Sequence, residues 1–199
     1  MARTTSPYIN QLGLVRLNGE EELVVDAEDM ESCFNLFRVP DSWAGFFAFE
    51  AKVPKSAFGG NPNEMTYVWM RSVPMGFVGA VDIMQTMARR LIFDTCGVDL
   101  AEELHKAKRV PVGNTAVVCM DGFDYVRRIA KGTQETAEPS EQIRKFRAAC
   151  ARFGLPISAG KQLVTATHAC ILGGELDGQL GWLAHAREKV GQSSRRWLR

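Results

Sequence analysis

Residues 116–129 read AVVCMDGFDYVRRI, and this stretch decides the fold. The apolar run from Ala116 to Met120 has the length of a strand, and Asp121-Gly122 is a dipeptide typical of tight turns. A second strand is predicted over residues 123–129. The stretch therefore predicts a β-hairpin with an aspartate at its tip, and we expect Gly122 to supply the positive φ that such a tip favours.

A second aspartate ends another predicted strand far upstream. The apolar run Leu23-Val24-Val25 leads into an acidic stretch that ends at Asp29. Strand-end aspartates are common in turns, so this pair alone is a weak signal. Carboxylates that converge can hold the Mg²⁺ ions of phosphoryl transfer, because Mg²⁺ prefers hard oxygen ligands. We therefore expect Asp29 and Asp121 to lie side by side on an antiparallel sheet and to bind metal.

Helices alternate with these strands along the chain. Apolar residues at helical spacing predict one helix from about residue 77 to residue 96 and a second over residues 138–153, with Gly154 as its C-terminal cap. The first apolar stripe consists of Phe77, Ala80, Met84, Met87 and Leu91, and the second of Ile143, Phe146, Cys150 and Phe153. A short helix is predicted over residues 32–37, and strands over residues 45–51 and 65–70. A last hairpin turns at Gly173-Gly174, and this order is an α+β pattern.

Composition excludes several classes of protein. The chain has 199 residues, is 46% hydrophobic and carries a net charge of +1, which is ordinary for a globular domain and gives no overall basic footprint for nucleic acid. The 5 cysteines are odd in number and widely spaced, which argues against a disulfide framework and a structural zinc site. No apolar run reaches the roughly 20 residues of a membrane span. We expect a soluble, intracellular protein, with nuclear and cytoplasmic locations both open.

Five short motifs follow one another in a family-specific order. The first two are Asp29 with Phe34, and Val73-Pro74-Met75-Gly76-Phe77 with Gln85. The other three are Cys119-Met120-Asp121-Gly122, then Gly154-Leu155-Pro156 with Gly160-Lys161, then Ile171-Leu172-Gly173-Gly174 with Asp177-Gly178. In this order they resemble motifs A to E of the palm domain of a reverse transcriptase of the eukaryotic retrotransposon type.

The resemblance implies a function and a fold. The function is RNA-directed DNA polymerase, a nucleotidyltransferase that uses two Mg²⁺ ions, with Mn²⁺ as an alternative. The fold is α+β, a reverse-transcriptase-like palm with an antiparallel sheet and helices packed on one face. Asp29 and Asp121 would hold the metals, and Lys161 would donate a proton to the leaving pyrophosphate. The implied partners are an RNA or DNA template with its primer, deoxynucleoside triphosphates and other segments of a retroelement polyprotein, with no membrane.

The resemblance also implies nucleotide and template contacts, each with a structural alternative. Phe34 would be the steric gate beneath the sugar, or simply a core phenylalanine. Pro74, Gly76 and Gln85 would line the nucleotide and template pocket, although Gly76 also suits an ordinary helix-entry turn. Lys161 is otherwise a solvated side chain. Gly173 and Gly174 would let the backbone approach the primer strand.

Two residues of the third motif depart from the family pattern of Tyr-x-Asp-Asp. Cys119 replaces the tyrosine, and Gly122 replaces the second aspartate. Asp124 is a nearby carboxylate, but alternation along the strand predicts that it points away from Asp121, and the same argument places Asp26 opposite Asp29. A catalytically inactive retroelement remnant that keeps the fold and weak nucleic-acid binding is therefore the alternative function.

The motifs define the expected domain organisation. Residues 1–20 form an N-terminal extension with the fingers largely absent, residues 21–180 the palm, and residues 181–199 a basic C-terminal segment that either binds nucleic acid or is a solvated tail. We expect a palm core taken from a larger polyprotein. An unrelated α+β domain is disfavoured by the ordered motifs.

Overall fold

The central strand β1 (Glu21–Asp29) pairs with a neighbour on each side. The computed structural model describes residues 6–133, 138–185 and 196–197. The chain divides into two compact units, Met1–Glu31 with Val81–Arg199, and Ser32–Ala80. In the first unit, β4 (Thr115–Cys119), β5 (Gly122–Ala130), β1 and β6 (Leu163–Ala166) form an antiparallel sheet in that order. The predicted hairpin is confirmed, with Asp121 in its loop.

Both faces of this sheet are covered, which explains why β1 has a continuous buried run instead of alternation. Helices α3 (Ala80–Thr95) and α4 (Glu141–Phe153) lie on one face, where the Phe146 ring meets that of Phe123 at 5.5 Å. On the other face, residues of the sheet share a buried core with a second sheet. Members of this core include Val25, Val117, Ile171, Leu176 and Leu183.

The second sheet follows directly in the chain. It contains β7 (His168–Ile171), β8 (Gly174–Asp177), β9 (Trp182–His185) and β10 (Arg196–Trp197), in the antiparallel order β10-β9-β8-β7. The hairpin predicted at Gly173-Gly174 is the β7–β8 hairpin. The other basic residues of the C-terminal segment lie outside the described residues; they are Arg187, Lys189, Arg195 and Arg199.

The N-terminal segment contributes to the core of the first unit. Helix α1 (Ile9–Leu12) buries Leu12, and Val15 follows it into the same core, with exposed fractions of 1% and 2%. Residues 1–20 were expected to be an extension, but this part of them packs like the rest of the unit.

The helices differ from their predicted stripes in detail. Helix α3 begins at Ala80 and buries Ala80, Met84, Ala88 and Ile92, whereas Met87 is 37% exposed. The buried positions therefore recur every four residues, and the predicted stripe through Met87 was wrong. Helix α4 begins at Glu141, three residues later than predicted, with Ser140 as its N-cap. Gly154, at φ 67°, follows its end as predicted. Its last residue, Phe153, is exposed.

The second unit, Ser32–Ala80, is small. It contains α2 (Cys33–Leu36), a 3₁₀ turn at Asp41–Phe46, and a two-stranded sheet of β2 (Ala48–Pro54) and β3 (Met65–Trp69). The strand predicted from residue 45 starts later because the turn occupies its first positions. Buried Val39, Val73 and Ala80 form the core, around which aromatic rings pack. No helix in the described ranges is long and apolar enough to cross a membrane.

Candidate functional site

The pairing of β1 with β5 brings the two predicted aspartates together. Asp29 lies directly opposite Gly122, and the N–H of Met30 donates to the carbonyl oxygen of Asp121 at 2.7 Å. The end of β1 is therefore fixed beside the hairpin loop. The side chain of Asp29 is 16% exposed, so its carboxylate is accessible while its backbone is held in the sheet.

The loop between β4 and β5 consists of Met120 and Asp121, because Cys119 and Gly122 are the last paired residues. Met120 adopts the left-handed conformation, with φ 49°. Gly122 does not, since it already lies in the extended strand. The expectation that Gly122 supplies the positive φ of the tip was wrong, because Met120 adopts that conformation instead.

Gln85 holds this loop from helix α3. Its side-chain Nε2 donates to the carbonyl oxygen of Val118 at 2.8 Å, and its Oε1 accepts from the N–H of Met120 at 2.9 Å. Gln85 is 2% exposed. The resemblance implied that Gln85 lines the nucleotide and template pocket, which stays a prediction. In the structure its amide is buried and positions the turn that carries Asp121.

A cavity of about 430 Å³ opens on the Asp29 side of the sheet. The acidic residues in its lining are Glu28, Asp29, Asp121 and Asp124. Lys161 and Gln162 enter from the segment before β6, and Cys170 and Leu172 from the second sheet. This cavity therefore combines hard oxygen donors, an ammonium group and an accessible volume.

Asp124 belongs to this site, contrary to the sequence-based expectation. Because Asp121 lies in the loop, strand alternation starts at Gly122, and Asp124 shares the face of Gly122 and Asp29. Burial, and then the charge of Asp29, raise the pKa of Asp124 to about 7. Burial and then Asp29 also raise the pKa of Asp121. The length of the hairpin loop was the signal needed to find Asp124.

Asp26 lies on the opposite face, as alternation predicts. Its carboxylate is fully buried and accepts hydrogen bonds from the N–H of Thr165 at 2.7 Å and the N–H of Ser140 at 3.2 Å. It also pairs with Arg127 Nε at 3.0 Å. Asp26 therefore ties β5, β6 and the start of α4 to β1 and takes no part in the cavity.

Lys161 contacts the site directly. Its ammonium forms an ion pair with Oδ2 of Asp29, and the hydrogen bond and charge of Asp29 raise the pKa of Lys161. The lysine side chain is 65% exposed. The resemblance alone singled out this lysine, and the structure places it on one of the two predicted metal-binding residues.

The remaining predicted contacts lie elsewhere. Phe34, Pro74 and Gly76 belong to the second unit, where half-buried Phe34 packs against the core of Val39 and its neighbours. Gly76 adopts φ 96° in an exposed turn before α3, which suits a helix-entry turn. Their nucleotide and template roles stay predictions.

The glycines of the β7–β8 turn have structural uses. Gly173 has φ 77°, and a Cβ on Gly174 would lie 2.5 Å from Cγ1 of Ile9. The absence of a side chain at Gly174 therefore makes room for helix α1. Whether Gly173 also approaches a primer strand stays a prediction.

Comparison with known proteins supports the fold. No family model matches the chain, and no curated protein matches it. A solved structure of the foamy viral protease-reverse transcriptase in complex with an RNA/DNA hybrid covers 91% of this chain, with a TM-score of 0.55 and 14% identity. A dRH form of that viral protein in complex with double-stranded DNA covers 94%, with a TM-score of 0.58 and 13% identity. The fold is that of a reverse transcriptase.

The match is to a part of the viral protein. This chain spans 19% of the first of those two structures and 26% of the second. At this identity the likeness describes the course of the backbone, so the activity of the whole viral protein does not transfer with it.

Proposed function

We propose that this chain is the palm region of an RNA-directed DNA polymerase of a retroelement, which catalyses nucleotidyl transfer with two divalent metal ions. The observation that carries the proposal is the register of β1 and β5, which sets Asp29 opposite Gly122 and beside Asp121. The reverse-transcriptase fold supports the proposal, because both aspartates belong to stretches that resemble the family's metal-binding motifs.

The donor set fits Mg²⁺ in the manner typical of nucleotide enzymes. In the described part of the chain, no three His, Cys, Asp or Glu side chains converge into a complete metal cage. Mg²⁺ usually needs no such cage, because it binds one or two carboxylates and completes its shell with waters and substrate phosphates. Burial, and then the charge of Asp29, raise the pKa of Asp121, and a divalent cation would relieve the repulsion between the two carboxylates.

Each candidate residue has a proposed part in the reaction. Asp29 and Asp121 would hold the metals, which when bound lower the pKa of the attacking primer hydroxyl and neutralise the leaving pyrophosphate. Lys161 stays protonated and would donate to the pyrophosphate as it leaves. Phe34, Pro74 and Gly76 would contact the nucleotide and template. The partners would be a primed RNA or DNA template and deoxynucleoside triphosphates.

The proposal is tested by metal binding on the chain itself. Manganese titration followed by electron paramagnetic resonance should show binding that weakens at least about tenfold in Asp29→Asn and in Asp121→Asn, because each change removes a charged ligand. Asp82→Asn, which removes a charge from the first turn of α3, is the matched control. Equal affinity in the native chain and both site variants would refute the proposed site.

A non-catalytic retroelement remnant is the second candidate, and Gly122 favours it. A second carboxylate at that position would offset the repulsion between two divalent ions, and the chain lacks it. Primer extension on an RNA template separates the candidates. We expect no extension by the native chain alone. Primer extension by the chain that is lost in Asp29→Asn would exclude the remnant. The remnant would be established if metal binding depends on Asp29 but no extension occurs, even when fingers and thumb segments are joined to the chain.

A further inference from the structure

Asp29 already has a cationic partner in this structure. The ammonium group of Lys161 pairs with Oδ2 of Asp29, and Lys161 is the sole lysine or arginine among the described residues that line the carboxylate cavity. The other carboxylate oxygen, Oδ1, lies on the side of Gly122. An ion bound at Oδ2, or across both oxygens of Asp29, would therefore meet the ammonium group of Lys161.

The backbone delivers Lys161 to this position. The N–H of Ser158 donates to the carbonyl oxygen of Asp29 at 2.8 Å, and the N–H of Glu31 donates to the carbonyl oxygen of Pro156 at 2.8 Å. A bridge between Met30 and Ile157 lies between these bonds. The 3₁₀ turn Ala159–Lys161 follows at once, so the strand that carries Asp29 also anchors the turn that carries Lys161.

The charges of the cavity determine how the ion pair between Lys161 and Asp29 affects cation binding. Asp29, Asp121 and Asp124 all line it, and one ammonium group offsets part of their charge. A divalent cation at the same carboxylate would be repelled by the ammonium group and would compete with it for Oδ2. The lysine can yield, because its side chain is 65% exposed and held by a single ion pair of modest strength.

We propose that Lys161 is a built-in competitor of the divalent cation at Asp29, so that metal binding displaces its ammonium group from the carboxylate. This inference rests on the proposed function, in which Asp29 binds metal. The displaced lysine remains tethered at the edge of the cavity, where a leaving pyrophosphate would meet it. In this proposal, the metal binding that displaces the ammonium group of Lys161 also frees it to contact the substrate.

The test compares manganese affinities of charge-matched variants of the full chain. Lys161→Met should bind Mn²⁺ at least about threefold more tightly than the native chain, because a competing ion pair has been removed. Lys161→Arg keeps the charge and should bind within about twofold of the native chain. Lys145→Met removes one positive charge from a pair with Glu141 on α4, at 2.7 Å, and controls for the change in net charge.

The outcomes separate this inference from the proposed function. A gain in Lys161→Met no larger than that in Lys145→Met would overturn the competition, provided that Asp29→Asn still weakens binding. If Asp29→Asn leaves manganese affinity unchanged, the metal site itself is wrong, whatever Lys161 does. Since Lys161 is largely exposed, the melting temperature of Lys161→Met should match that of the native chain. A melt followed by circular dichroism checks that this variant is folded.

Discussion

A Cβ atom on Gly122 would lie 3.4 Å from Oδ1 of Asp29, which is ordinary van der Waals contact. Gly122 also has extended backbone, whereas Met120 carries the positive φ of the loop. Neither packing nor backbone conformation therefore requires glycine at position 122. The fold would therefore accept a side chain, including a carboxylate, at this position.

Restoring aspartate at this position should strengthen divalent binding. Gly122→Asp would add a carboxylate on the face of Asp29, and we expect Mn²⁺ affinity to rise by about tenfold, the increment of one further charged ligand. Without metal, the free energy of unfolding should fall by up to about 1 kcal/mol, because the new carboxylate lies directly opposite Asp29 and like charges there repel each other. Calorimetric titration and urea unfolding measure the two effects.

Gly113→Asp is the matched control for this change. Gly113 has no heavy atom within 4 Å of an added Cβ and precedes β4 at its far end, so the same charge is added away from the cavity. If both variants bind manganese as the native chain does, residue 122 does not face the ions and the alignment of the third motif is wrong.

Gln85 should be a stability residue more than a binding residue. Gln85→Met keeps the volume of the side chain but leaves the N–H of Met120 and the carbonyl oxygen of Val118 without the amide. We expect a loss of about 1–3 kcal/mol in the free energy of unfolding, the cost of unsatisfied buried groups. Arg90→Met, at an exposed position of the same helix, should change it by less than about 0.5 kcal/mol. Equal stabilities would show that Gln85 does not hold the loop.

Gln85 also shows where prediction from the sequence ended. The hairpin and the helix α4 could be predicted because apolar periodicity, turn residues and caps agreed there. Helix α3 was also predicted, but its buried face was not, because Met87 of the predicted stripe is exposed and the polar residue Gln85 is buried. Burying its amide is favourable only because β4 and the loop supply partners, and those partners are remote in sequence.

Only part of the candidate site could be predicted, because the rest depends on structure that sequence patterns do not determine. Asp29 ends β1 and Asp121 lies in the loop of the adjacent hairpin, so their proximity followed from the predicted hairpin and the resemblance. Asp124 was missed because its direction depends on whether Asp121 belongs to the loop or to the strand. A shift of one residue reverses every side chain of a strand, and sequence patterns rarely fix a loop to that accuracy.

Phe34 can be tested as a core residue and as a gate. It packs half-buried against the core of the second unit. Replacing a fully buried phenylalanine with alanine costs about 3–5 kcal/mol, so Phe34→Ala should lower the free energy of unfolding by less than that. Phe46→Ala, at an 82% exposed ring of the same unit, is the control. In a longer active polymerase that contains this palm, the gate predicts that Phe34→Ala admits ribonucleotides. Lower stability with unchanged nucleotide selection would retire that role.

Asp124 should make the stability of the chain depend on pH near neutrality. Its folded-state pKa of about 7 lies above the ordinary value of 3.8, so the folded state keeps a proton that the unfolded state releases first. Stability is therefore lost as pH rises from about 4 to about 7, where the unfolded chain ionises more readily. Asp124→Asn removes this titration, so its stability relative to the native chain should rise between about pH 4 and about pH 7 and level off at higher pH. Urea unfolding at several pH values measures the difference. Asp29→Asn should lower the pH at which this loss of stability ends, because the charge of Asp29 is the second cause of the raised pKa of Asp124. Parallel curves for the native chain and Asp124→Asn would show that Asp124 is ionised throughout and well solvated, and would remove it from the buried part of the cavity.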